Sequence, residues 1–193
     1  MDNLKVLVVA YQRVLPLRIM IDCFRVQTDP HWEMHVIHDG PAPEEIKQLM
    51  PDDKRVIFYE TRQRLKNYGH PNRRYLLNNV QAGTNDFILI TNDDNYYVPE
   101  YVSYVRKAAA ADVGIVYNDC LHNYYKYDVL KAKMQTNFID MGSFIVRADA
   151  AKAVGFTSDA FHADGIYAEA CALYCVNHNL KVQYIPKALF IHN

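Results

Sequence analysis

Four short polar residues interrupt an apolar segment near the middle of the chain. The apolar run Phe87 to Ile90 is typical of a fully buried strand, and Asn92-Asp93-Asp94-Asn95 follows it closely. Adjacent carboxylates repel each other unless a cation or hydrogen-bond donors neutralise them. Oxygen ligands at the carboxyl end of a buried strand suit Mg²⁺ or Mn²⁺ bound to a diphosphate. An equally open interpretation is a solvated turn in which Asp93 or Asp94 caps the next helix.

Composition indicates an ordinary globular domain. The chain has 193 residues, of which 50% are hydrophobic and 22% charged, and its formal net charge is -1. This length is enough for one sizeable core, and a net charge near zero gives no general attraction to nucleic acid. The sequence has no signal-peptide pattern and no transmembrane segment, so we expect a cytoplasmic protein. Four cysteines without metal-ligand spacing predict buried thiols.

The first third of the chain alternates strand and helix patterns. Apolar runs at 4–10, 32–38 and 56–59 predict strands, and helical spacing separates them. This order predicts a mainly parallel sheet with helices on both faces. Tyr11 and Asp39 each follow a strand of this sheet, so we expect both residues at its carboxyl edge.

The segment from 61 to 85 is basic and contains no acidic residue. Its basic residues are Arg62, Arg64, Lys66, Arg73 and Arg74. Beside an acidic strand end, such a segment favours phosphate binding, although a solvated basic surface is the other interpretation. We expect a helix from 74 to 81 within it.

The second half of the chain carries weaker signals. The tyrosine-rich stretch 118–133 predicts a long excursion of the kind that is often functional. Met141-Gly142-Ser143 interrupts a strand pattern at 138–147, and glycine in a strand often marks the close approach of a ligand or of another backbone. Asp164 precedes the last helical pattern, where a helix cap is the plain interpretation. A last strand is expected at 182–185, and His192 is the penultimate residue.

In chain order, these segments resemble the motifs of glycosyltransferase family 2, whose members have the GT-A fold. The matching segments are Ala10-Tyr11-Gln12, His38-Asp39-Gly40, Asn92-Asp93-Asp94, Met141-Gly142-Ser143, Val154-Gly155-Phe156 and Ala163-Asp164-Gly165. T-N-D-D-N-Y-Y-V-P is also similar to the T-D-D-N-x-Y-x-P form of spore-coat polysaccharide transferases. The resemblance implies a single Rossmann-like α/β domain over 1–193 with a mainly parallel mixed sheet. Its nucleotide-binding half would span about 1–97 and its acceptor-binding half about 98–193.

The resemblance also implies an activity. Family members move a sugar from a nucleotide-diphosphate donor to a hydroxyl group, and a divalent metal assists many of them. For this chain it implies an inverting transferase that uses a UDP-sugar, with dTDP fitting the same contacts. The acceptor would be a saccharide or glycoconjugate, and the cofactor Mn²⁺ or Mg²⁺. Neither the sugar nor the oligomeric state follows from the sequence.

Site residues are carried over from the family motif by motif. Asp164 is the implied general base, because Ala163 replaces the glutamate that the family has beside it. The implied nucleotide contacts are Ala10, Tyr11, Arg13, Asp39, Arg74, Asn92 and Asp93. The implied metal ligands are Asp94 and His192, since Asn92 replaces the first acid of the metal motif. The implied acceptor contacts are Gly142 and Ser143.

Two other functions remain open from the residues alone. A nucleotidyltransferase would also place a metal-bound acid on an α/β sheet, but the segment after the first strand, Ala10 to Arg13, lacks the glycines of a phosphate loop. A non-catalytic module that binds nucleotide-sugars would not need Asp164. Plain structural interpretations also stand for Asp39 as a turn residue, Tyr11 as a packed aromatic and His192 as a frayed terminus.

Overall fold

One nine-stranded mixed sheet runs through the chain in a computed structural model that describes residues 1–193. Its order is β3-β2-β1-β4-β8-β6-β9-β5, with β7 paired to β6. The strands are β1 (Leu4–Ala10), β2 (Trp32–His38), β3 (Val56–Glu60), β4 (Phe87–Asn92), β5 (Tyr96–Tyr97), β6 (Val113–His122), β7 (Asp128–Leu130), β8 (Phe144–Arg147) and β9 (Lys181–His192).

Six α-helices cover the two faces of the sheet. They are α1 (Val14–Arg25), α2 (Glu44–Lys47), α3 (His70–Asn79), α4 (Tyr101–Ala108), α5 (Ala148–Val154) and α6 (Ala163–Asn177). The buried residues of α1 and α4 pack on one face, and those of α3, α5 and α6 pack on the other. Helices on both faces of an α/β sheet are therefore confirmed. No helix combines the length and apolarity needed to cross a membrane.

The parallel part of the sheet brings the first predicted site residues together. β1 pairs in parallel with both β2 and β4, with Ala10 opposite His38 and Val9 opposite Asn92. Because all three strands end at the same edge, the residues that follow them converge there. The predicted meeting of Tyr11, Asp39 and Asp93 at one sheet edge follows from this register.

The remainder of the sheet is less parallel than the alternating pattern predicts. β8 lies antiparallel between β4 and β6, and β6 in turn pairs in parallel with β9. The mixed sheet is confirmed, while its uninterrupted parallel run is confined to β1 through β4. β9 does not end at Ile185 as expected but continues to His192 and pairs with β5, Tyr96 opposite Ile191. This extension carries His192 back to the edge where β4 ends.

Candidate active site

A first cavity opens at the carboxyl edge of the parallel strands, with a volume of about 570 Å³. Five of the predicted nucleotide contacts line it: Ala10, Tyr11, Arg13, Asp39 and Asn92. The opposite wall is the loop from Arg64 to Gly69. Lys66, Asn67, Tyr68 and Gly69 all have positive φ there, between 50° and 79°. Such backbone strain concentrates at functional sites, where surrounding contacts hold it in place.

Asp39 holds this loop in position. Its buried carboxylate accepts hydrogen bonds from the backbone N–H groups of Leu65 (2.8 Å) and Lys66 (3.0 Å) and from Asn72 Nδ2 (2.9 Å). Two of these bonds end on Oδ1 and only one on Oδ2. Since each carboxylate oxygen has two lone pairs, Oδ2 keeps one free acceptor position, and Asp39 lines the cavity.

Arg13 neutralises the adjacent acids Asp93 and Asp94. Its guanidinium lies 2.6 Å from Asp93 Oδ1 and also pairs with Asp94 Oδ2. Asp93 is fully buried and accepts a further hydrogen bond from the Tyr11 N–H group. Burial raises the pKa of Asp93 to about 7, with Asp94 adding to the rise and Arg13 opposing it. The carboxylate pair is therefore part of a buried charge cluster and not a solvated turn.

Arg73 is the cation at the centre of the site. Its Nη1 donates to Tyr68 O (2.6 Å) and faces His70 Nδ1 (2.8 Å), while Nη2 donates to Asn92 Oδ1 (2.5 Å). Burial lowers the pKa of Arg73 to about 10, and the charges of Asp140, Asp164 and Asp93 act in the opposite direction. Arg73 therefore joins the strained loop to the end of β4 while facing three carboxylates.

A second cavity, of about 560 Å³, adjoins the first. Arg13, Tyr68, Arg73 and Asn92 line both cavities, so these four side chains form a shared wall. The predicted base Asp164 lines the second cavity. It lies in the first turn of α6, whose N-cap position is His162, so it is not the helix cap. Burial raises the pKa of Asp164, as does the charge of Asp140, while Gly165 N–H and Arg73 lower it.

His192, the predicted metal ligand, also lines the second cavity. Its Nε2 lies 3.3 Å from Asp140 Oδ2, and its Nδ1 lies 3.1 Å from Asn123 Oδ1. In the tautomer that donates from Nδ1 to Asn123 Oδ1, the lone pair of Nε2 faces the Asp140 oxygen, and two facing acceptors need a proton or a cation between them. A histidine whose other ring nitrogen is held by an oxygen is how proteins orient a metal ligand.

A divalent ion fits some of these residues. Asp94 Oδ1 is buried without a hydrogen-bond partner, and oxygen with imidazole nitrogen is a donor set that Mn²⁺ accepts. His122, Asp140 and His192 bring potential ligand atoms within 4.8 Å of one another. The His122 and His192 rings, however, stack at 4.1 Å and 10°, so their lone pairs lie in nearly parallel planes, which disfavours both rings on one ion. Asp140 and His192 are therefore the better-placed pair of this cluster, whereas Asp94 is not part of it and lines neither cavity.

Three predicted contacts do not line either cavity. The Arg74 guanidinium instead donates to Phe156 O (2.9 Å), Thr157 O and Asp159. Gly142 and Ser143 are buried and line neither cavity. A Cβ atom on Gly142 would lie 2.7 Å from Tyr97 Oη, so close packing explains this glycine.

Two residues that line the cavities, Arg73 and Asp140, were not singled out from the sequence. The helix expected at 74–81 begins four residues earlier, at His70. With that start, Arg73 lies three and four residues before the buried Leu76 and Leu77 and shares their inward face. Asp140 had a weaker signal: it precedes the 3₁₀ turn Met141–Ser143 and accepts the Gly142 N–H bond that caps it.

Comparison with solved structures places the fold among glycosyltransferases. The structure of S. aureus TarS 1–349 matches with a TM-score of 0.76 at 12% identity, over 99% of this chain and 60% of that one. The complex of TarS 1–349 with UDP-GlcNAc gives 0.75 at 12% identity, over 98% and 58%. Mannosyltransferase PcManGT from Pyrobaculum calidifontis, in complex with GDP-Man and Mn²⁺, gives 0.73 at 15% identity, over 98% and 56%. The chain thus spans about 60% or less of these proteins' length.

The two sequence comparisons, with curated proteins and with family profiles, gave different results. No curated protein sequence matches the chain. The family profile described as "Glycosyl transferase family 2", in contrast, matches residues 5–161. That range contains all of β1 except Leu4, β2 through β8, and both walls of the first cavity. The chain therefore belongs to glycosyl transferase family 2.

Proposed function

We propose that this protein is an inverting glycosyltransferase that moves a sugar from a nucleotide-diphosphate donor to a hydroxyl group of a saccharide or glycoconjugate. The observation that carries the proposal is the wall shared by the two cavities. A nucleotide in the first cavity and an acceptor in the second would meet at Arg13 and Arg73, with Asp164 on the acceptor side. Transfer needs this arrangement, because donor and acceptor must be held in line.

The first cavity is suited to the nucleotide. Asp39 Oδ2 offers an acceptor for a base N–H group, and Arg13 and Arg73 supply charge for the diphosphate. The complexes of the structural neighbours contain UDP, UDP-GlcNAc and GDP-Man. We propose a UDP-sugar as the donor, since the TarS complexes carry the same base that the resemblance implies.

Asp164 is the proposed general base. A carboxylate that takes a proton from an acceptor hydroxyl needs a raised pKa, and burial supplies it here. Direct attack by that hydroxyl on the anomeric carbon is a single displacement, so the product is inverted. Asp94 and His192 remain the proposed ligands of Mn²⁺ or Mg²⁺, with Asp140 beside His192, and the ion when bound would neutralise charge on the leaving diphosphate.

The proposal is tested by the thermal shift of the protein with UDP-, dTDP- and GDP-sugars, each with and without Mn²⁺. A donor that binds the folded state raises the melting temperature by mass action. We expect the largest shift with a UDP-sugar and Mn²⁺. Asp94→Ala should lose the Mn²⁺-dependent part of the shift, whereas Asp52→Ala, an exposed acid outside both cavities, should keep it.

Slow donor hydrolysis in the same samples separates an enzyme from a binding module. A donor that binds but is neither hydrolysed nor transferred would favour the non-catalytic alternative. An Asp94→Ala protein that keeps the full Mn²⁺ effect would remove Asp94 from the metal site.

A further inference from the structure

Two side chains pack against the Tyr11 ring. The ring stacks on His38, with centroids 5.8 Å apart and an interplanar angle of 29°. The guanidinium carbon of Arg64 lies over the Tyr11 ring, 3.7 Å from its centroid. A base that stacks on Tyr11 from the cavity, which Arg64 also lines, would meet Arg64 there.

The His38 ring is held firmly in place. His38 Nδ1 donates to Gly40 O (2.8 Å), and His38 Nε2 accepts from the Gln12 N–H group (3.2 Å). Both ring nitrogens are therefore used, and the residue is 1% exposed. A base cannot displace this ring without breaking both buried hydrogen bonds.

The Arg64 side chain is held only weakly. The Arg64 side chain is 47% exposed, and its guanidinium donates no hydrogen bond to the protein. Its only charged partner is Asp39, with Nε 3.8 Å from Oδ2. The loop packs closely on Gly40 because glycine has no side chain. A Cβ atom on Gly40 would lie 3.3 Å from Arg64 N.

The position of Arg64 reproduces the two contacts proposed for the base. A uracil ring would stack on Tyr11 and direct its N–H group at Asp39 Oδ2. Arg64 places its planar guanidinium over Tyr11 and its Nε 3.8 Å from the same oxygen. Guanidinium groups are flat and stack on aromatic faces, which makes Arg64 a physical mimic of the base.

We infer that Arg64 occupies the base position of the donor-free protein and that the nucleotide binds by displacing it. The inference rests on the proposed function, since it needs Tyr11 and Asp39 to receive a base. It makes Arg64 a residue that sets donor affinity by competition. The apparent dissociation constant is the intrinsic one divided by the fraction of molecules in which Arg64 has left Tyr11.

The test is nucleoside binding to Arg64→Ala. Uridine is the probe because it carries no phosphate, so removal of a positive charge does not itself weaken binding. Exposed cation–π contacts have a strength that corresponds to about a two- to fivefold change in affinity. We therefore expect Arg64→Ala to bind uridine about two- to fivefold more tightly than the parent in an NMR titration. Arg62→Ala is the matched control, because Arg62 is exposed, basic and lines neither cavity.

A second measurement examines the contact without any ligand. In the free protein, the Arg64 Nε–H resonance should be shifted upfield by the Tyr11 ring, and Tyr11→Leu should remove that shift. Uridine should remove it in the parent as well.

Unchanged or weaker uridine binding by Arg64→Ala, while the parent binds, would overturn this inference and leave the proposed function standing. An Arg64 resonance that uridine binding does not move would do the same. If neither protein binds any nucleoside or UDP, the proposed function fails, and the competition fails with it.

Discussion

Asp39 in the first cavity accepts three hydrogen bonds from the chain, whereas Asp164 in the second accepts only the one from its neighbour Gly165. The other acids follow the same division. Asp93 and Asp94 are paired with Arg13, while the Asp140 carboxylate accepts one hydrogen bond, from the Gly142 N–H group, and lies 3.3 Å from His192 Nε2. Asp39 and Asp93 are thus held by donors before any ligand binds, whereas Asp140 and Asp164 keep capacity to take up a proton or a cation.

This difference in how the carboxylates are held matches the two proposed roles of the cavities, donor binding and proton transfer. A binding site gains from carboxylates whose position and charge are set in advance, because no reorganisation is then needed. A general base needs a carboxylate that remains available to a proton, and burial with few donors raises its pKa. The following predictions test whether the two cavities divide the work in this way.

The largest effect is expected from Asp164→Asn. The variant should fold, because an asparagine oxygen can accept the Gly165 N–H bond (2.8 Å) that Asp164 accepts. It should bind the donor and lose about 10²–10⁴-fold in transfer rate, the usual contribution of a general base. The measurement is turnover, with the product anomer read by NMR.

Glu169→Gln is the matched control for that variant. Glu169 is exposed, and its carboxylate accepts the Thr136 N–H bond (2.7 Å) outside the second cavity. A product of retained configuration, or an active Asp164→Asn beside an inactive Glu169→Gln, would contradict the division.

The next effect concerns the shared wall. Arg73→Ala removes a buried guanidinium with three polar partners, and we expect it to lower the free energy of unfolding by roughly 3–5 kcal/mol. Arg74→Ala removes the next residue of α3, which is half-exposed, and should cost no more than about 1 kcal/mol. Urea unfolding of the two variants measures both. Equal losses would mean that Arg73 is no more central than its neighbour.

The smallest effect is a shift in pH dependence. Asp164 acts as a base only when ionised, and its pKa lies above the ordinary 3.8. Transfer should therefore fall as the pH drops through that raised pKa. Asp140→Asn removes a like charge that contributes to the rise, so the acidic limb of the pH–rate profile should move to lower pH.

Asp159→Asn is the control for the profile, because Asp159 is exposed and pairs with Arg74 outside the cavities. The position of the limb is the readout, since its height also depends on other roles of Asp140. An unmoved limb in Asp140→Asn would show that the two carboxylates do not interact.

The sequence by itself determined the parallel part of the fold and most of the first cavity. Runs such as Leu4 to Ala10 are buried on both faces, and the residue after each strand is assigned by counting. Ala10, Tyr11, Arg13, Asp39 and Asn92 therefore lie together as the motifs predicted. Local pattern was sufficient because parallel strands end at one edge.

The tertiary structure alone decided the second cavity and the contacts of the basic segment. Asp140, Asp164 and His192 come from a turn, a helix start and a strand end that meet only because β9 extends back beside β5. The choice between Arg73 and Arg74 depended on a helix start four residues earlier than expected, set by left-handed backbone at Gly69. The position of Arg64 over Tyr11 depended on the two backbone N–H bonds from Leu65 and Lys66 to Asp39 and on the close approach of Arg64 to Gly40. Contacts between distant segments are fixed by packing and by hydrogen bonds between those segments. Such contacts produce no periodic pattern in the sequence from which they could be predicted.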